Sequence, residues 1–302
     1  MNHVFIMNPT SGAYDRTAEM QQKVKDFAKL VNEPVEVHLT QRARHAEELA
    51  CEAAKRGEPV RIYACGGDGT LHEVAAGAAG FENAAITNLP IGSGNDFIRM
   101  FGQESGRFFD LREFLDVDVT PFDMMDCNGH LAINIVSVGI DARVGFGMAE
   151  YRRRPSMSGS RAYQISVAVE LAKGINRHID VEIQGQKFTG KRALVCVLNG
   201  RFYGGGFNPS PHARPDDGEF DILVTEKLNL LQVAKVIDLY AKGRAAEIPH
   251  LIHIFKGTEV RITCTGKEMM NLDGEQLDEQ NVLVKLSEKK VNFFYPKGAK
   301  YY

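Results

Sequence analysis

A glycine-rich stretch, Gly66-Gly67-Asp68-Gly69-Thr70, follows the apolar run Ile62 to Cys65 and precedes a helical pattern. Three glycines let the backbone turn sharply and leave its N–H groups uncovered, and a helix N-terminus adds a partial positive charge. Such a turn suits a phosphate group. Asp68 is unexpected there, because a carboxylate repels phosphate unless a cation lies between them or the carboxylate handles a proton. The alternative is an ordinary β–α turn in which Asp68 suits the turn geometry.

The residues after this turn predict how the helix begins and ends. Thr70 and Glu73 have the spacing of a capping box, and Gly80 is a typical stop. Apolar residues recur between them at the period of a helix, at Leu71, Val74, Ala75, Ala78 and Ala79.

A second turn of small residues, Pro90 to Asp96, follows the apolar run Ala85 to Leu89. The carboxyl ends of consecutive strands in an open parallel sheet line one crevice, and ligands bind there. Two such turns therefore favour a phosphate site more strongly than one. Asp96 is either a functional acid or a helix cap. The sequence has no P-loop motif, and no dinucleotide fingerprint follows the first strand.

The chain up to about Leu115 alternates between strand and helix patterns. Strands are predicted at His3 to Met7, Val35 to Leu39, Ile62 to Cys65 and Ala85 to Leu89. A helical pattern follows each of them, and the second helix is expected at Arg42 to Arg56. This order predicts a three-layer α/β domain with a parallel sheet.

After Asp116 the pattern changes to short strands joined by turns that contain Gly, Asn or Asp. Pro121 to Asp126 and Leu131 to Val138, joined by Asn128-Gly129, predict a hairpin. Further strands are predicted at Ile179 to Ile183, Ala193 to Leu198, Phe220 to Thr225, Val260 to Thr265, Met269 to Leu272, Val282 to Leu286 and Val291 to Tyr295. We therefore expect an antiparallel β-sandwich with a few inserted helices, one of them at Ala162 to Lys173.

Two acidic turns in this second half could do chemistry. Asp273 and Glu275 flank Gly274 after an apolar strand, where a carboxylate could take a proton from a hydroxyl. Asp-Gly is also among the commonest hairpin turns. The loop Arg214 to Glu219 carries consecutive acids that could hold a hard cation through carboxylate and backbone oxygens. A solvated turn is the alternative for this loop.

Charge, hydropathy and cysteine content limit the kinds of partner and site that are expected. The net charge of -3 gives no general attraction to nucleic acid. No apolar run approaches the ~18 residues of a membrane span. The five cysteines are scattered and do not form a C-x-x-C pair, so neither a zinc site nor a disulfide framework is expected.

Four motifs together resemble the diacylglycerol kinase catalytic family, which includes bacterial soluble lipid kinases, sphingosine kinases and ceramide kinases. They are Asn8 to Gly12, Gly66 to Thr70, Pro90 to Asp96 and Leu272 to Glu275, and they span nearly the whole chain. The segment Asn134 to Ala142 also resembles a family motif at the cleft. The sequence departs from the family pattern at Ser93, where threonine is commoner, and at Arg44-His45-Ala46.

The resemblance implies a lipid kinase that depends on ATP and Mg²⁺. An ATP-binding α/β domain would span residues 1–120, with 293–302 returning to it, and a β-sandwich domain for lipid and catalysis would span 121–292. Asp273 would be the general base, assisted by Glu275 and Asp68. Magnesium would be held by the Asp217 carboxylate and the carbonyl oxygens of Arg214 and Glu219. ATP would contact Asn8, Pro9, Thr10, Ser11, Gly12, Thr40, Gly66, Gly67, Asp68, Gly69, Thr70, Leu71, His72, Ser93 and Asn95.

The main interpretation is a kinase for diacylglycerol, a sphingoid base or a similar amphiphile, acting from the cytoplasm with peripheral contact at the inner membrane face. Arg152-Arg153-Arg154 could meet an anionic membrane or form a solvated loop. A homodimer is left open. Two alternatives remain: an NAD kinase-like enzyme, which would share Gly66 to Thr70, and a non-catalytic regulator that binds nucleotide or lipid.

Overall fold

The computed structural model describes residues 1–12, 14–152, 158–266 and 268–301, and for Arg152, Gly159 and Ser160 it describes the backbone alone. Its strands are β1 Asn2–Met7, β2 Val35–Leu39, β3 Val60–Gly66, β4 Ala84–Pro90, β5 Val117–Phe122, β6 Met125–Cys127, β7 His130–Ala132, β8 Ile135–Gly139, β9 Arg177–Ile183, β10 Gln186–Phe188, β11 Lys191–Arg192, β12 Leu194–Leu198, β13 Phe220–Thr225, β14 Ile252–Gly257, β15 Glu259–Cys264, β16 Met270–Leu272, β17 Glu275–Leu277, β18 Asn281–Leu286 and β19 Val291–Pro296. Its α-helices are α1 Thr17–Val31, α2 His45–Lys55, α3 Asp68–Ala78, α4 Ile140–Arg152, α5 Gly159–Ala172 and α6 Leu230–Ala241.

The first sheet has the strand order β2-β1-β3-β4-β19-β5. Strands β1 to β4 pair in parallel, β19 is parallel to β4, and β5 is antiparallel to β19. This confirms the predicted parallel α/β domain. The last strand returns to this sheet because its rings pack in the aromatic core, where Phe294 lies 5.0 Å from Tyr63 and Phe293 lies 5.0 Å from Phe122 between ring centroids. We propose that residues 1–120 and 293–302 form one domain and residues 121–292 the other, and the pairing of β19 with β4 and β5 supports this division.

Two further sheets form the β-sandwich, with the orders β10-β9-β15-β18-β6-β7 and β14-β13-β12-β8-β16-β17. Their facing side chains build one apolar core that includes Val136, Val181, Ile222 and Val260. Helix α6 packs against the outer face of the second of these sheets through Val233, Val236 and Tyr240. The predicted α/β plus β fold class is therefore confirmed.

Some predicted elements are wrong. The segment after β4 forms 3-10 helices, Phe97–Phe109 and Leu111–Phe114, instead of an α-helix, and a kink with positive φ lies at Gly102. The predicted long hairpin is divided among three sheets, because only β6 and β7 pair across Asn128-Gly129, while β5 belongs to the first sheet and β8 to the other sheet of the sandwich. In the part of the chain that the structure describes, no helix is long and apolar enough to cross a membrane.

Candidate active site

The two glycine-rich turns lie against each other at the carboxyl ends of β3 and β4. A Cβ atom on Gly92 would lie 2.3 Å from the Gly67 Cα atom, so only glycine permits this approach. The N–H groups of Ile91 and Gly92 donate to the Gly66 carbonyl oxygen at 3.1 and 3.3 Å. The turns therefore form one backbone surface at the edge of the sheet where ligands bind in open α/β folds.

The loop after β1 joins the same edge. The Asn8 side-chain NH₂ group donates to the Thr70 hydroxyl at 3.2 Å, and the Asn8 side-chain oxygen accepts from the N–H and hydroxyl groups of Thr10 at 3.0 and 2.8 Å. Gly12 has a φ of 88°, and a Cβ atom there would lie 2.6 Å from the Ile91 carbonyl oxygen. The loops after three neighbouring strands are thus in direct contact.

Other residues predicted to bind nucleotide surround this edge. The Thr40 N–H group donates to the Met7 carbonyl oxygen at 2.8 Å, just after β2. Asn95 has a φ of 51°, and its amide donates to the Gly92 carbonyl oxygen at 2.9 Å. The same loops also contain Pro9 and Ser11, which are half-buried, and Gly69 and Ser93, which are exposed. Contact of these residues with nucleotide stays a prediction.

The predicted capping box at the start of α3 is wrong. The helix begins at Asp68, and no side chain caps it among the described residues. Glu73 instead accepts from the N–H groups of Arg44 and Ala46, at 3.0 Å each, and so caps the start of α2. The N-terminus of α3 therefore has no side-chain acceptor in the described structure, which leaves it suited to an anion.

Asp68 and Asp96 form an acidic pair beside this helix start. The Asp68 carboxylate accepts from the Phe97 N–H group at 3.1 Å, and burial together with the charge of Asp96 raises the pKa of Asp68 to about 6. Asp96 accepts from the Gly205 N–H group at 2.7 Å and pairs with Arg99 at 3.0 Å. Burial also raises the pKa of Asp96. The Asp96 side chain makes no capping bond to the 3-10 helix that follows it, and whether it is a functional acid stays a prediction.

Asp273 lies at the tip of the hairpin between β16 and β17, with a φ of 51°. Its side chain is only 2% exposed. One carboxylate oxygen accepts from the N–H groups of Asn134 and Ile135 at 3.0 and 2.7 Å, and the other accepts from the Ile133 N–H group at 2.7 Å. The carboxylate therefore fixes the backbone that leads into β8.

His72 links Asp273 to the first domain. Its Nδ1 atom lies 2.9 Å from the second Asp273 oxygen, and its Nε2 atom lies 3.7 Å from Glu275 Oε2. Burial lowers the pKa of the ring, but the hydrogen bonds and charges of Asp273 and Glu275 outweigh burial and raise the pKa of His72 to about 10. His72 is therefore a cation at neutral pH, held between two carboxylates. The sequence indicated His72 only as part of the nucleotide motif.

A cavity of about 260 Å³ lies between the two domains and brings the acids together. Its wall contains four aspartates, from both domains: Asp68, Asp96, Asp141 and Asp273. Leu71, which was predicted to contact nucleotide, also lines this cavity. The predicted catalytic acids Asp68 and Asp273 thus face one space across the interdomain cleft.

Asp141, in the first turn of α4, has a vacant hydrogen-bonding position. One of its oxygens accepts from the Tyr203 hydroxyl at 3.2 Å, and the Tyr203 and Tyr240 hydroxyls lie 3.0 Å apart. The other oxygen has no hydrogen-bond partner among the described residues. Asp141 is half-buried and lines the cavity, its unpaired oxygen atom is buried, and burial raises the pKa of the carboxyl group. An unpaired buried oxygen costs free energy, which a donor on a ligand would recover.

A second cavity of about 190 Å³ continues from this point between α4, α5 and α6. Its lining is almost wholly apolar and includes Val144, Met148, Val167, Leu171, Val233 and Val236. The two cavities share the residues Asp141, Gly145, Met148, Tyr203 and Gly204. An acidic cavity and an apolar cavity thus lie side by side, an arrangement that suits the polar and apolar parts of an amphiphile.

The loop Arg214 to Glu219, which was predicted to hold a cation, offers oxygen ligands, but the Lys256 ammonium lies beside its acids. Asp217 accepts from the Glu219 N–H group at 3.2 Å, and the Lys256 ammonium lies 3.4 Å from Asp217 and 3.7 Å from Glu219. The Arg214 side chain pairs with Asp216 at 3.0 Å. The described residues contain no cluster of three or more His, Cys, Asp or Glu side chains placed to hold a metal ion. One carboxylate with two carbonyl oxygens still matches the donor type that Mg²⁺ prefers.

A chain of hydrogen bonds connects this loop to Asp273. The Gly218 N–H group donates to the buried Asp123 carboxylate at 2.9 Å. The Asn199 amide donates to the carbonyl oxygens of Asp123 and Ile133 at 2.8 and 2.7 Å. Ile133 in turn donates to Asp273 at 2.7 Å, so a series of hydrogen bonds runs from the loop to Asp273.

Three arginines could meet a membrane or form a solvated loop according to the sequence. Of these, Arg153 and Arg154 lie outside the described residues, as does the side chain of Arg152.

Comparison with known proteins agrees with this two-part arrangement. The profile of the diacylglycerol kinase catalytic domain matches residues 2–127, and that of the YegS C-terminal NAD kinase beta sandwich-like domain matches residues 134–294. A "Diacylglycerol kinase" from Bacillus subtilis is 29% identical over 89% of this chain and 88% of its own length. A "Probable lipid kinase YegS-like" from Pseudomonas fluorescens is 31% identical over 80% of this chain and 79% of its own.

A crystal structure of a diacylglycerol kinase from Bacillus anthracis superposes with a TM-score of 0.69 at 19% identity, covering 99% of this chain and 98% of that one. At this identity the likeness shows the fold. Fold and site together define a two-domain kinase whose cleft lies between an α/β domain and a β-sandwich. The chain belongs to the lipid kinase family that joins a diacylglycerol kinase catalytic domain to a YegS-type C-terminal domain. The catalytic-domain match favours this family over the NAD kinase-like alternative.

Proposed function

We propose that the protein transfers the γ-phosphate of ATP to a hydroxyl group of diacylglycerol or a similar amphiphile. The observation that carries the proposal is that a cavity lined by four aspartates adjoins an apolar cavity, with Asp141 and Tyr203 in the wall of both. An acceptor lipid would lie with its chain in the apolar part and its hydroxyl among the acids. The glycine turns at Gly67 and Gly92 border the acidic part and would hold the phosphates.

The three predicted catalytic acids have different environments and would have different tasks. Asp68 has a pKa of about 6, so it is mostly ionised at neutral pH and can still accept a proton as the acceptor hydroxyl attacks. Asp273 already accepts four hydrogen bonds, which is about the capacity of a carboxylate. It would therefore accept a proton only by giving up one of these donors. Glu275 is 43% exposed, and the His72 ring 3.7 Å away lowers the pKa of its carboxyl group.

We therefore propose Asp68 as the group best suited to take the proton, with Asp273 and Glu275 holding His72 and the cleft backbone in place. This assignment gives Asp273 more of a positioning task than the sequence predicted. The loop would hold Mg²⁺ through the Asp217 carboxylate and the carbonyl oxygens of Arg214 and Glu219. Bound magnesium would order this loop and, through Asp123 and Asn199, the backbone that holds Asp273.

The experiment is to incubate the protein with labelled ATP and vesicles that contain diacylglycerol, sphingosine, ceramide or phosphatidylglycerol, with NAD as a soluble alternative. We expect label in at least one lipid and none in NAD. The Asp68→Asn variant, checked for unchanged unfolding, is the control for contaminating kinases. Label in NAD alone, or in no acceptor, would contradict the proposal.

A further inference from the structure

Two leucines at the start of α6 are exposed to solvent. Leu230 is 64% exposed and Leu231 is 86% exposed, the highest value among the large hydrophobic side chains that the structure describes. They are the first two residues of the helix. Single exposed leucines are ordinary, whereas an adjacent pair at a fixed helix end indicates an interaction surface.

The structure holds this pair rigidly. Asn229 and Gln232 form a complete capping box, with reciprocal side-chain to backbone hydrogen bonds of 2.9 Å each. The preceding Leu228 is buried, and the Asn176 side chain bonds both its N–H group and its carbonyl oxygen at 2.8 Å. A frayed helix end would have neither feature. The leucines are thus presented on a firm support instead of a loose turn.

The pair lies beside the opening of the apolar cavity. Tyr163 on α5 and Ile237 on α6 line that cavity and are also 38% and 42% exposed, so the cavity opens between the two helices. Leu230 is three residues before Val233 and seven before Ile237, which places the three on one helix face. An apolar stripe therefore runs from Leu230 to the cavity, and Leu231 lies next to it on the neighbouring face.

Two lysines flank the pair. Lys227 and Lys235 are both exposed, and Lys235 lies one helical turn after Leu231 on the same face. The acids nearby already have partners: Asp238 pairs with Lys242 at 2.6 Å, and Glu226 lies 2.8 Å from the His253 ring. Apolar side chains flanked by lysines are complementary to a bilayer with anionic headgroups.

We propose that Leu230 and Leu231, with Lys227 and Lys235 beside them, dock on an anionic lipid bilayer and place the cavity mouth against the membrane. The acceptor lipid then passes from the bilayer between α5 and α6 without crossing water. This inference rests on the proposed lipid kinase function for its purpose. The docking itself is measurable without catalysis.

The test uses the full chain and two kinds of vesicle, phosphatidylcholine alone and phosphatidylcholine mixed with phosphatidylglycerol. The variants are Leu230→Ser/Leu231→Ser and Lys235→Gln. The matched control is Leu30→Ser, because Leu30 is 55% exposed on α1 of the first domain. Co-sedimentation measures binding, light scattering measures oligomeric state, and activity is compared on vesicle-embedded dioleoylglycerol and on dispersed dihexanoylglycerol.

We expect the double serine variant to bind mixed vesicles at least about tenfold more weakly, since the burial of two leucine side chains is lost. Its activity should fall on the embedded substrate and stay within about twofold on the dispersed one. Lys235→Gln should weaken binding to the mixed vesicles only. Unchanged vesicle binding by the double variant would overturn the proposal, and so would a change in oligomeric state without a change in binding. If the wild-type protein binds vesicles but phosphorylates no lipid, the proposed function fails and the docking surface stands.

Discussion

Replacing Asp273 with asparagine should destabilise the fold as well as slow the reaction. The Asp273 carboxylate accepts three backbone N–H groups and the His72 ring, and its side chain is 2% exposed. Each carboxylate oxygen of Asp273 accepts two hydrogen bonds. In asparagine an NH₂ group replaces one of these oxygens, so two donors would lose their acceptor. It also removes the negative charge beside the cationic His72.

The size of the effect follows from the hydrogen bonds that are lost. Leaving a buried donor unpaired costs about 1–3 kcal/mol, so two of them cost roughly 2–6 kcal/mol of the free energy of unfolding. The matched change is Glu275→Gln on the other side of His72. Glu275 is 43% exposed, so the loss there should stay below about 1 kcal/mol.

Urea unfolding of both variants, followed by steady-state kinetics of each, separates the two tasks of Asp273. A general base alone would lower kcat by about 10²–10⁴-fold and leave stability unchanged. We expect a clear loss of stability in Asp273→Asn, together with reduced kcat and ATP affinity close to wild type. Stability within about 1 kcal/mol of wild type would refute the positioning task, and normal kcat with lost ATP affinity would make Asp273 a nucleotide or fold residue.

Three further changes test other parts of the site. Folding raises the Asp68 pKa from 3.8 to about 6, which corresponds to roughly 3 kcal/mol. The folded protein is therefore more stable by this amount below pH 3.8, where Asp68 is protonated in both states. That stability is lost as the pH rises through 6, where the folded protein must hold the ionised carboxylate. Asp68→Asn should therefore be at least as stable as wild type at pH 8, and because it removes the proposed base its turnover should fall by about 10²–10⁴-fold. Wild-type kcat should fall as the pH drops below about 6. A less stable variant or a flat pH profile would contradict this. Asp141→Leu removes the acceptor for a donor on the lipid head and should raise the acceptor KM about tenfold with an unchanged ATP KM; an unchanged acceptor KM would exclude that contact. Asp217→Ala should weaken the activity response to Mg²⁺ without loss of ATP affinity, and an identical magnesium titration would reduce the loop to an ordinary turn.

Short-range patterns in the sequence were enough to predict much of the fold. The turn at Gly66 to Gly69 was predictable because an apolar strand, three glycines and a helical period lie within about fifteen residues, a length set by single elements of structure. The Asn128-Gly129 turn was equally local, and both central residues have positive φ as that turn requires. The extent of the hairpin around it was not predictable, because the partners of β5 and β8 lie elsewhere in the chain.

The contacts that organise the site depend on residues far apart in sequence. His72 and Asp273 are separated by 201 positions, and nothing near either residue indicates the other. Asn199 bridges Asp123 and Ile133 across separations of 76 and 66 positions. The spacing of Glu73 predicted a cap at the start of its own helix, α3. Its carboxylate instead caps the start of α2, because tertiary packing brings the Arg44 and Ala46 N–H groups next to it. Only the assembled fold reveals such partners.

The most direct test of the central proposal is a mass-spectrometric measurement of both products in one reaction of the purified protein with ATP, Mg²⁺ and dioctanoylglycerol. We predict equal amounts of ADP and of a lipid phosphomonoester, with both products reduced by about 10²–10⁴-fold in Asp68→Asn at an unfolding temperature no lower than that of wild type. ADP without phosphorylated lipid, or phosphorylated lipid at the wild-type rate in Asp68→Asn, would contradict the proposal.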